Sequence, residues 1–573
     1  MDGNRIASTL TRRHFIVIAT TAAGGLMVGI GAAPRRAEAV TVAAQPWDES
    51  AYNQHEIDAW IVIDPDDSVL IRYQRSEMGQ GSMTALPMII AEELQCDWSK
   101  VRIEYASPNR NFRENKVYGD MFSSGSRSVR ASREKMQQVG ASARERLIAA
   151  AAARWSVPAP ECTAVSSVVT HGPSGRTLRY GELAAHAAKI KLAAEPAIKT
   201  PDQYTFIGKP MLRVDVIHKI DGSAKFGIDA QIPDMVFAAI NACPVAGGKL
   251  KSVDESPLAG APGILQVVRL DDAVAVVATG SFWRAKQALA KLQPEWDVGP
   301  AGDVDSAQLS NEFRAGLNGP AQTARNDGDV DQAFPSAAKT IEAVYETPYL
   351  SHSPMEPMNA TVHLQPDRLD VWVGTQAADK ALEAAARFSG LKPEQVYIHN
   401  AFVGGGFGRR DANDEVAQAI AIAKAVRRPV KLIWTREEDT RHDKFRPHAV
   451  VGFKAGLGSD GMPIAWSMRV VTSSILASAQ ITFPGPPRVE PMAIAGLADN
   501  GYKVPNMRVE AVIKNTHLPV WFWRAPGANQ HVFAIESFLD ELAAAGGQDP
   551  YQFRRKLLED KPDWLKVLDM AAE

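Results

Sequence analysis

The chain has 573 residues, 63 basic against 66 acidic side chains and 45% hydrophobic residues, a composition that excludes disordered, collagen-like and coiled-coil proteins. A formal net charge of −3 provides no basic surface for nucleic acid, so we expect no nucleic-acid partner. The three cysteines, Cys96, Cys162 and Cys243, are too few for a four-thiolate zinc or iron–sulfur site, so any metal must come within an organic cofactor or on a partner chain.

Residues 1–39 have the pattern of an export signal. Arg12 and Arg13 precede an uncharged stretch at 15–34, and Ala37-Glu38-Ala39 offers a cleavage site. This order is typical of a secretory signal, and the paired arginines favour the twin-arginine route, which exports folded proteins with cofactors bound. A membrane anchor is the alternative, but Ala, Gly and Thr dilute the apolar stretch. We therefore expect a periplasmic protein, with membrane association if the signal is kept.

The next segment combines a hairpin with a helix. Strand-like runs at 59–63 and 69–73 flank the turn Asp64-Pro65-Asp66-Asp67 and predict a β-hairpin. A helical pattern follows from Thr84 to Leu94. We place Pro87 in its first turn, where the missing N–H has little effect.

The middle of the chain predicts a helix, a linker and a small α+β domain. The helix runs from about Ser132 to Trp155, and residues 158–201, rich in Gly, Pro and Ala, are interpreted as a linker with one short helix. Between 208 and 296, strand-like runs such as 274–278 alternate with turns and end in a helix around Ala288.

From about Thr340 the chain alternates strands and helices. The predicted strands are 369–373, 396–403 and 430–434, and the predicted helices are 379–389 and 414–426. A last helix from Gln530 to Ala545 places Val532, Ile535, Phe538 and Leu542 on one face and stops at Gly546.

The most informative motif is a glycine-rich string between a strand and a helix, Val403-Gly404-Gly405-Gly406-Phe407-Gly408-Arg409-Arg410. Successive glycines let backbone N–H groups approach an anion, and a helix N-terminus adds a favourable dipole. The string is not a dinucleotide fingerprint, because Arg409 occupies the position of the third glycine. A tight strand–helix turn is the simpler alternative for a single glycine run.

Two further turns share this chemistry. Ser76 to Thr84 contains Met-Gly-Gln-Gly before a helix, where N–H groups and one amide side chain could bind a phosphate or a pterin edge. Phe122 to Ser128 is rich in hydroxyl groups that can donate several weak hydrogen bonds. Each alone could be an ordinary loop.

Two polar residues stand out beside these turns. Arg524 is flanked by Trp523 and followed by Pro526-Gly527, and we expect its guanidinium to be buried against an anionic or polar partner. Gln376 follows a strand, at the end where α/β proteins place ligand contacts, although an exposed loop glutamine is the alternative.

No other catalytic pattern is evident. There is no Gly-x-Ser-x-Gly, and His352, His363, His399 and His448 lack metal-ligand spacing, so we interpret these histidines as structural. The turns and Arg524 together favour a large ligand that carries phosphate and many heteroatoms.

In combination, these segments resemble the molybdenum-binding large subunit of the xanthine oxidase/aldehyde oxidoreductase family. The specific matches are Gly404 to Gly408 and Arg524-Ala525-Pro526-Gly527, followed by Gln530 and Glu536. The resemblance implies an α+β multidomain fold, with an α/β hammerhead domain and molybdopterin-binding domains of the aldehyde oxidoreductase type.

The resemblance divides the chain into five segments. These are the signal at 1–39, a permuted segment of the second molybdopterin-binding domain at 40–165, a linker at 166–200, the hammerhead domain at 201–300 and the first molybdopterin-binding domain at 330–573.

The order of two motifs indicates a subgroup. In most members of the family the Met-Gly-Gln-Gly segment follows the arginine segment, whereas here Met78 to Gly81 precede it. This permuted order resembles isoquinoline 1-oxidoreductase β subunits and certain membrane-linked aldehyde dehydrogenases. It implies a separate small 2Fe–2S subunit as partner, a cytochrome c as candidate electron acceptor, and molybdopterin cytosine dinucleotide as cofactor.

The resemblance also implies roles for single residues. Gln376 would hydrogen-bond an oxygen on molybdenum, and Arg524 would stabilise negative charge on the substrate oxygen; these are the expected catalytic residues. No side chain is expected to ligate the metal. The expected cofactor-binding residues are Gly79, Gln80 and Gly81 at the phosphate, Ser124, Gly125, Ser126 and Ser128 along the pterin or dinucleotide, Gly405, Gly406, Phe407 and Gly408 near the metal, and Trp523 beside Arg524.

The family mechanism further needs a general-base glutamate in a Gly-Glu-Pro-type segment, and no Gly-Glu-Pro occurs in this sequence. We therefore expect that the C-terminal catalytic segment is missing and that the chain turns over little substrate even with its cofactor and partner.

The expected function is the large subunit of an exported molybdenum hydroxylase. It would oxidise aldehydes to carboxylic acids, or hydroxylate carbons of N-heteroaromatic rings, with oxygen from water. The alternatives are a truncated, catalytically inactive remnant that serves as a scaffold, and a periplasmic solute-binding protein.

Overall fold

Residues 56–482 and 489–573 are described by the structure, which is a computed structural model, and the predicted export signal lies outside them. Within these ranges the chain forms five β-sheets with helices packed on them, which confirms the predicted mixture of α and β structure. None of the helices in the described part of the chain is long and apolar enough to cross a bilayer.

The first sheet forms from short apolar runs between turns. Its strands, in spatial order, are β1 (Glu56–Asp58), β2 (Ile61–Ile63), β3 (Val69–Tyr73) and β4 (Val101–Tyr105). β2 and β3 pair antiparallel as the predicted hairpin, with Ile61 opposite Ile71. β3 and β4 pair in parallel, which requires the crossover that helix α1 (Ser82–Leu94) supplies.

Helix α1 begins earlier than predicted. Gly81 caps it in the left-handed conformation, with φ of 84°, and the helix starts at Ser82. Pro87 therefore lies in the second turn, so its placement in the first turn was wrong. Two more helices follow, α2 (Pro108–Arg113), which was not predicted, and the long α3 (Arg133–Trp155), which confirms the helix predicted from about Ser132 to Trp155.

The segment predicted as a linker is folded. It contributes to an antiparallel sheet of β5 (Cys162–Val165), β6 (Val168–His171) and β7 (Thr177–Arg179), followed by α4 (Tyr180–Ala187). Alternate residues of β5 are buried and exposed, and Val169, Leu178 and Tyr180 are buried. The strands are only three or four residues long, so the alternation is too brief to distinguish them from a loop in the sequence.

The central sheet has seven strands. They are β8 (Val236–Ala242), β10 (Ile264–Arg269), β11 (Ala273–Ala278), β15 (Asn359–Leu364), β16 (Leu369–Val373), β17 (Val396–Asn400) and β18 (Val430–Ile433), in the spatial order β10-β11-β8-β18-β15-β16-β17. β8 pairs in parallel with β18, so the segment predicted as a hammerhead domain shares this sheet with the following segment.

Helices cover the central sheet. Those of this region are α5 (Val216–Asp221), α6 (Phe282–Leu289), α9 (Ala378–Ser389), α10 (Asp414–Val426) and α11 (Arg436–Arg441), beside a two-stranded sheet of β9 (Lys249–Ser252) and β12 (Glu295–Asp297). Leu382 and Ile420 pack with Val371 and Val362 in one buried cluster. The predicted helices at 379–389 and 414–426 are confirmed, whereas the strand predicted to reach Val403 ends at Asn400.

The last sheet has five strands, β13 (Gln322–Asp327), β14 (Lys339–Thr347), β19 (Ala449–Leu457), β20 (Pro463–Thr472) and β21 (Asn506–Ile513), in the spatial order β13-β21-β20-β19-β14. Helix α14 (Ala528–Ala545) packs on it through Ile535, Phe538 and Leu542. Val532 is 45% exposed, so its predicted place on the buried face was wrong. The remaining helices are α7 (Ser306–Gly316), α8 (Val330–Ala333), α12 (Ile475–Ser478), α13 (Pro491–Ile494), α15 (Pro550–Leu557) and α16 (Pro562–Ala572).

The contact between α1 and α3 depends on a missing side chain. A Cβ added to Gly140 of α3 would lie 2.3 Å from the Ile90 carbonyl oxygen and 2.8 Å from the Glu93 Cβ. Gly140→Ala would gain about 1 kcal/mol in helix propensity. A backbone oxygen cannot easily move aside. We therefore expect the steric cost to exceed the gain in helix propensity and to lower the free energy of unfolding by about 1–3 kcal/mol.

Thermal unfolding of Gly140→Ala against wild type measures this effect. Gly172→Ala is the matched control, because a Cβ there meets its nearest atom at an ordinary 3.6 Å. An unchanged melting temperature for Gly140→Ala would contradict the close helix contact.

Candidate functional site

Two predicted site segments meet at one edge of the central sheet. β16 and β17 pair in parallel, so their carboxyl ends lie together, and Gln376 follows the first strand while Gly404–Gly408 follow the second. The Gln376 side-chain oxygen accepts a 2.9 Å hydrogen bond from the Gly408 amide. The Gln376 amide donates a 2.9 Å bond to the Arg410 carbonyl. The parallel pairing therefore creates this part of the site.

Ser123 joins a third segment to the same place. Its amide donates to the Gln376 carbonyl at 2.7 Å, and Gln376 Nε2 donates to the Ser123 carbonyl at 3.1 Å. The Ser123 hydroxyl accepts a 2.8 Å hydrogen bond from the Ser76 amide, at the start of the Met-Gly-Gln-Gly turn. Gln376 is thus buried with both ends of its carboxamide engaged, and the exposed-loop alternative is excluded.

The glycine loop is shaped by close approaches. A Cβ on Gly406 would lie 2.3 Å from Gln376 Oε1, and a Cβ on Gly408, where φ is +112°, would lie 1.6 Å from the Phe522 carbonyl oxygen. Phe407 has φ of 56°, a left-handed conformation that is strained for a bulky side chain, and its ring is 37% exposed. Within the described residues the amides of Gly405, Gly406 and Phe407 donate no hydrogen bond. The loop therefore keeps three backbone donors for a ligand.

The arginine segment lies directly against this loop. The Arg524 amide donates a 2.7 Å hydrogen bond to the Phe407 carbonyl, and the Trp521 indole N–H donates to the Asp411 carboxylate. Trp523 is half-buried, with its indole nitrogen 3.4 Å from the Ser351 carbonyl. The Arg524 side chain is exposed and forms no ion pair among the described residues, so the expectation that the protein buries it against a partner was wrong. Its charge is open to a ligand instead.

The Met78–Gly81 turn is organised around a carboxylate that the motif did not reveal. Glu77 is fully buried and accepts hydrogen bonds from the amides of Gly79 (2.8 Å), Gly81 (3.0 Å) and Met83 (2.9 Å). The amides of Gly79 and Gly81 are two of the three that we expected to bind a phosphate, the third being that of Gln80. The Gly79 and Gly81 amides are already occupied, because Glu77 lies directly before the turn and folds back beneath it, whereas the Gln80 amide donates no hydrogen bond among the described residues.

The side chain of Gln80 is engaged in the same way. Its Oε1 accepts from the Met78 amide at 2.7 Å, and its Nε2 donates to the Ser76 carbonyl and the Ser82 hydroxyl, both at 2.7 Å. The turn is linked to the glycine loop because the Val403 amide donates a 3.0 Å hydrogen bond to the Glu77 carbonyl.

Two cations balance the buried charge of Glu77. Arg213 Nη2 lies 3.1 Å from the carboxylate and also forms a bidentate pair with Asp215, while Lys219 lies 3.9 Å away. Arg213 Nη1 donates a 2.8 Å hydrogen bond to the Gly79 carbonyl. The pKa of Asp215 is lowered, since its bonds to Arg213 and Lys219 outweigh the opposing effect of burial. Sequence reasoning missed this cluster, because residues 213–219 are distant from the turn in the chain.

The hydroxyl-rich turn at Ser124–Ser128 lies next to Ser123, but two of its four predicted cofactor-binding residues are exposed. Ser126 adopts the left-handed conformation with φ of 55°, and Gly125 and Ser126 are exposed. Within the described residues the hydroxyl groups of Ser124, Ser126 and Ser128 form no hydrogen bond, so they remain available. The contact with Gln376 is made by Ser123, one residue before the predicted set.

A buried charge network supports the glycine loop from behind. Arg409 forms a bidentate pair with Asp414 at 2.6 and 2.9 Å, and its Nε lies 2.9 Å from Asp443. Burial opposes these charges, yet Asp414 and Asp443 raise the pKa of Arg409. The same attraction lowers the pKa of Asp414, whereas burial and the charge of Asp414 raise the pKa of Glu415. Arg409, in the place of the third glycine, is therefore a structural ion-pair centre.

Comparisons with known proteins agree with this geometry. A family model described as molybdopterin cofactor-binding domain matches residues 317–558, and a second model with the same description matches residues 14–216. The chain is 32% identical to the isoquinoline 1-oxidoreductase subunit beta of Brevundimonas diminuta, with 98% of this chain and 77% of the relative covered.

Two further similarities extend this result. The chain is 30% identical to the membrane-bound aldehyde dehydrogenase [pyrroloquinoline-quinone] of Gluconacetobacter polyoxogenes, over 97% of this chain and 73% of the relative. The crystal structure of quinoline 2-oxidoreductase from Pseudomonas putida 86 superposes with a TM-score of 0.52 at 21% identity. It covers 64% of this chain, which spans 53% of that chain, and supports the fold.

The turn at Met78–Gly81 should depend on the charge of Glu77. Glu77→Gln keeps the size but replaces one acceptor oxygen with an NH2 group that faces amide donors, so we expect a local loss of about 1.5–3 kcal/mol. Amide hydrogen exchange of residues 78–84 should become faster. Glu383→Gln, at an exposed position of α9, is the control and should leave exchange unchanged. Equal protection in both variants would show that the carboxylate does not hold the turn.

Proposed function

The chain belongs to the molybdenum-binding large subunits of the xanthine oxidase family, and on this premise we propose that it is the large subunit of an exported molybdenum hydroxylase. It would oxidise aldehydes to carboxylic acids or hydroxylate carbons of N-heteroaromatic rings, with oxygen from water. The observation that carries the proposal is the meeting of Gln376, the Gly405–Gly408 loop and the Arg524 segment at one sheet edge.

The donors at this edge suit a molybdopterin. The free amides of Gly405, Gly406 and Phe407 and the free hydroxyls of the Ser124–Ser128 turn are neutral donors, and Arg524 is an uncompensated cation. A ligand with phosphates and many heteroatoms matches this combination. When bound, the molybdenum centre accepts the two electrons that leave the substrate.

The chain's own residues would then have separate tasks. Gln376 is held rigidly by Gly408 and Ser123, so its carboxamide would orient the cofactor without reorganising. Arg524 would attract and steady negative charge that develops on the substrate oxygen. The exposed ring of Phe407 would border the space in which the substrate lies.

The Met78–Gly81 turn would bind the cofactor in a different way from the one that its sequence predicts. Its amides at Gly79 and Gly81 are bound to Glu77, so a phosphate would be recognised by the exposed surface of the turn and not by those N–H groups. A Cβ on Gly79 would meet no atom within 4 Å, which leaves open space above the turn.

We further propose molybdopterin cytosine dinucleotide as the form of the cofactor and a small 2Fe–2S subunit as the partner. The relatives are named as subunits or membrane-bound enzymes, and the three cysteines of this chain are all buried and cannot supply four thiolates. Electrons would therefore leave through a second chain, with a cytochrome c as the proposed acceptor.

Metal and nucleotide analysis tests the function. We expect the purified chain, coexpressed with its partner, to carry molybdenum and to release cytidine monophosphate on acid hydrolysis in equal amounts. Reduction of a dye by an aldehyde or by quinoline then separates an active hydroxylase from an inactive scaffold. A protein without molybdenum and pterin would contradict the proposal and favour a solute-binding protein.

The export signal makes a separate prediction. Arg12→Lys/Arg13→Lys should leave the protein in the cytoplasm, because the twin-arginine route reads both guanidinium groups. Cell fractionation with an antibody against the chain measures this. Arg35→Lys/Arg36→Lys is the control, since it changes a second arginine pair beyond the apolar stretch. Normal export of the Arg12→Lys/Arg13→Lys variant would contradict the assignment to the twin-arginine route.

A further inference from the structure

The Phe522 carbonyl is held between two groups from other segments. On one side it fills the place of the absent Gly408 side chain, where a Cβ would lie 1.6 Å from the oxygen. On the other side His352 Nε2 lies 3.1 Å from the same oxygen, in hydrogen-bond distance. Two residues further along the chain, the Arg524 amide donates a hydrogen bond to the Phe407 carbonyl. The position of Phe522 therefore sets how the arginine segment lies on the glycine loop.

Both ring nitrogens of His352 face acceptors. Nδ1 lies 3.0 and 3.1 Å from the two Asp443 carboxylate oxygens, and Nε2 faces a backbone carbonyl. A neutral imidazole carries only one N–H, so it could satisfy one of these two partners. The ring must be doubly protonated to make both hydrogen bonds. The His352 and Asp443 side chains are completely buried, so water does not replace a missing bond.

The charged groups around the ring are consistent with an imidazolium. Asp443, which follows α11, also pairs with Arg409, and Arg409 pairs with Asp414 at the start of α10. With an imidazolium, two cations would face the two carboxylates of Asp443 and Asp414, of which Asp443 is completely buried and Asp414 is 30% exposed. The bonds and charges of His352 and Arg409 lower the pKa of Asp443 against the effect of burial.

Further charged groups lie close to this set, among them Glu415 beside Asp414 and Arg409, and Asp439 beside Arg409 and Asp443. Asp411, in the glycine loop, accepts the Trp521 indole N–H, and burial raises its pKa. The charge of His352 acts on Asp411 in the opposite direction, as does that of Lys444, which follows Asp443 in the chain. The ring is thus bordered by acidic groups from two segments.

We propose that His352 is a positioning residue whose doubly protonated ring holds the Phe522 carbonyl against Gly408 and thereby places Arg524 opposite Phe407. This role deepens the proposed function, because it concerns the same site, but the contact itself exists without cofactor or turnover. Loss of one ring proton would release either Phe522 or Asp443. The arginine segment would then separate from the glycine loop while the sheets stay folded.

Amide hydrogen exchange measured across pH, corrected for the intrinsic rate, tests the proposal on the whole chain. In wild type we expect peptides that cover 405–409 and 521–525 to lose protection as the pH rises, because the ring needs both of its N–H groups to bind Asp443 and Phe522 together. In His352→Gln protection should be about tenfold weaker at low pH, the factor that corresponds to one charge-assisted hydrogen bond, and should no longer depend on pH.

Two further variants make the test specific. His399→Gln is the matched control, since that buried histidine also binds a carboxylate, Asp370 at 2.8 Å, but lies away from the arginine segment. It should behave as wild type. Asp443→Asn removes the carboxylate that His352 Nδ1 and Arg409 both face, so protection should depend less on pH than in wild type.

Three outcomes would overturn the proposal: wild-type protection that does not change with pH, His352→Gln with full protection, or His399→Gln with the same loss. If His352→Gln does not fold, the wild-type and Asp443→Asn profiles still decide. Molybdenum content is measured on the same samples. A chain that lacks molybdenum yet shows the expected exchange pattern would contradict the proposed function and leave the role of His352 intact.

Discussion

The parallel pairing of β16 and β17 is the constraint on which the candidate site depends. Parallel strands end at the same edge of a sheet, and here the two ends are followed by Gln376 and by the glycine loop. Both strands contribute buried side chains to the core of the central sheet, Val371 and Val373 from β16 and Val396 and Ile398 from β17, although β17 is the last strand of the sheet. The other site segments attach to it by short backbone hydrogen bonds, Ser123 to Gln376 and Arg524 to Phe407.

Charge inside the site region is arranged in groups of ion pairs. Glu77 and Asp215 are balanced by Arg213 and Lys219 beneath one turn, and Arg409 is balanced by Asp414 and Asp443 behind another. Such groups define loop positions, since each charge must keep its partner once water is excluded. Arg524, by contrast, has no ion-pair partner in the described part of the chain. The contrast separates the residues whose charges hold the loops from Arg524, whose charge is exposed.

Local patterns predicted much of this structure. The hairpin around Asp64 and the helix at Asp414–Val426 follow from periodicity and turn residues, whereas the closeness of Gln376 to Gly408 was implied by the family resemblance. What escaped prediction depends on contacts between distant segments. The carboxylate of Glu77, the bond from His352 to Phe522 and the sheet at 162–179 could not be seen, because each arises from tertiary neighbours and not from sequence spacing. The exposure of Arg524 was missed for a related reason, since aromatic neighbours in sequence do not determine burial.

The parallel pairing of β8 with β18 limits how this architecture can vary between relatives. Because four consecutive residue pairs join them in the middle of one sheet, the segment around β8 is not a detachable module. A chimera that exchanged residues 201–300 between relatives would have to preserve the twist and width of the recipient's strands on both sides. The surface loops of this segment can therefore change between relatives more easily than β8 itself, which must remain compatible with the sheet that it shares with β18.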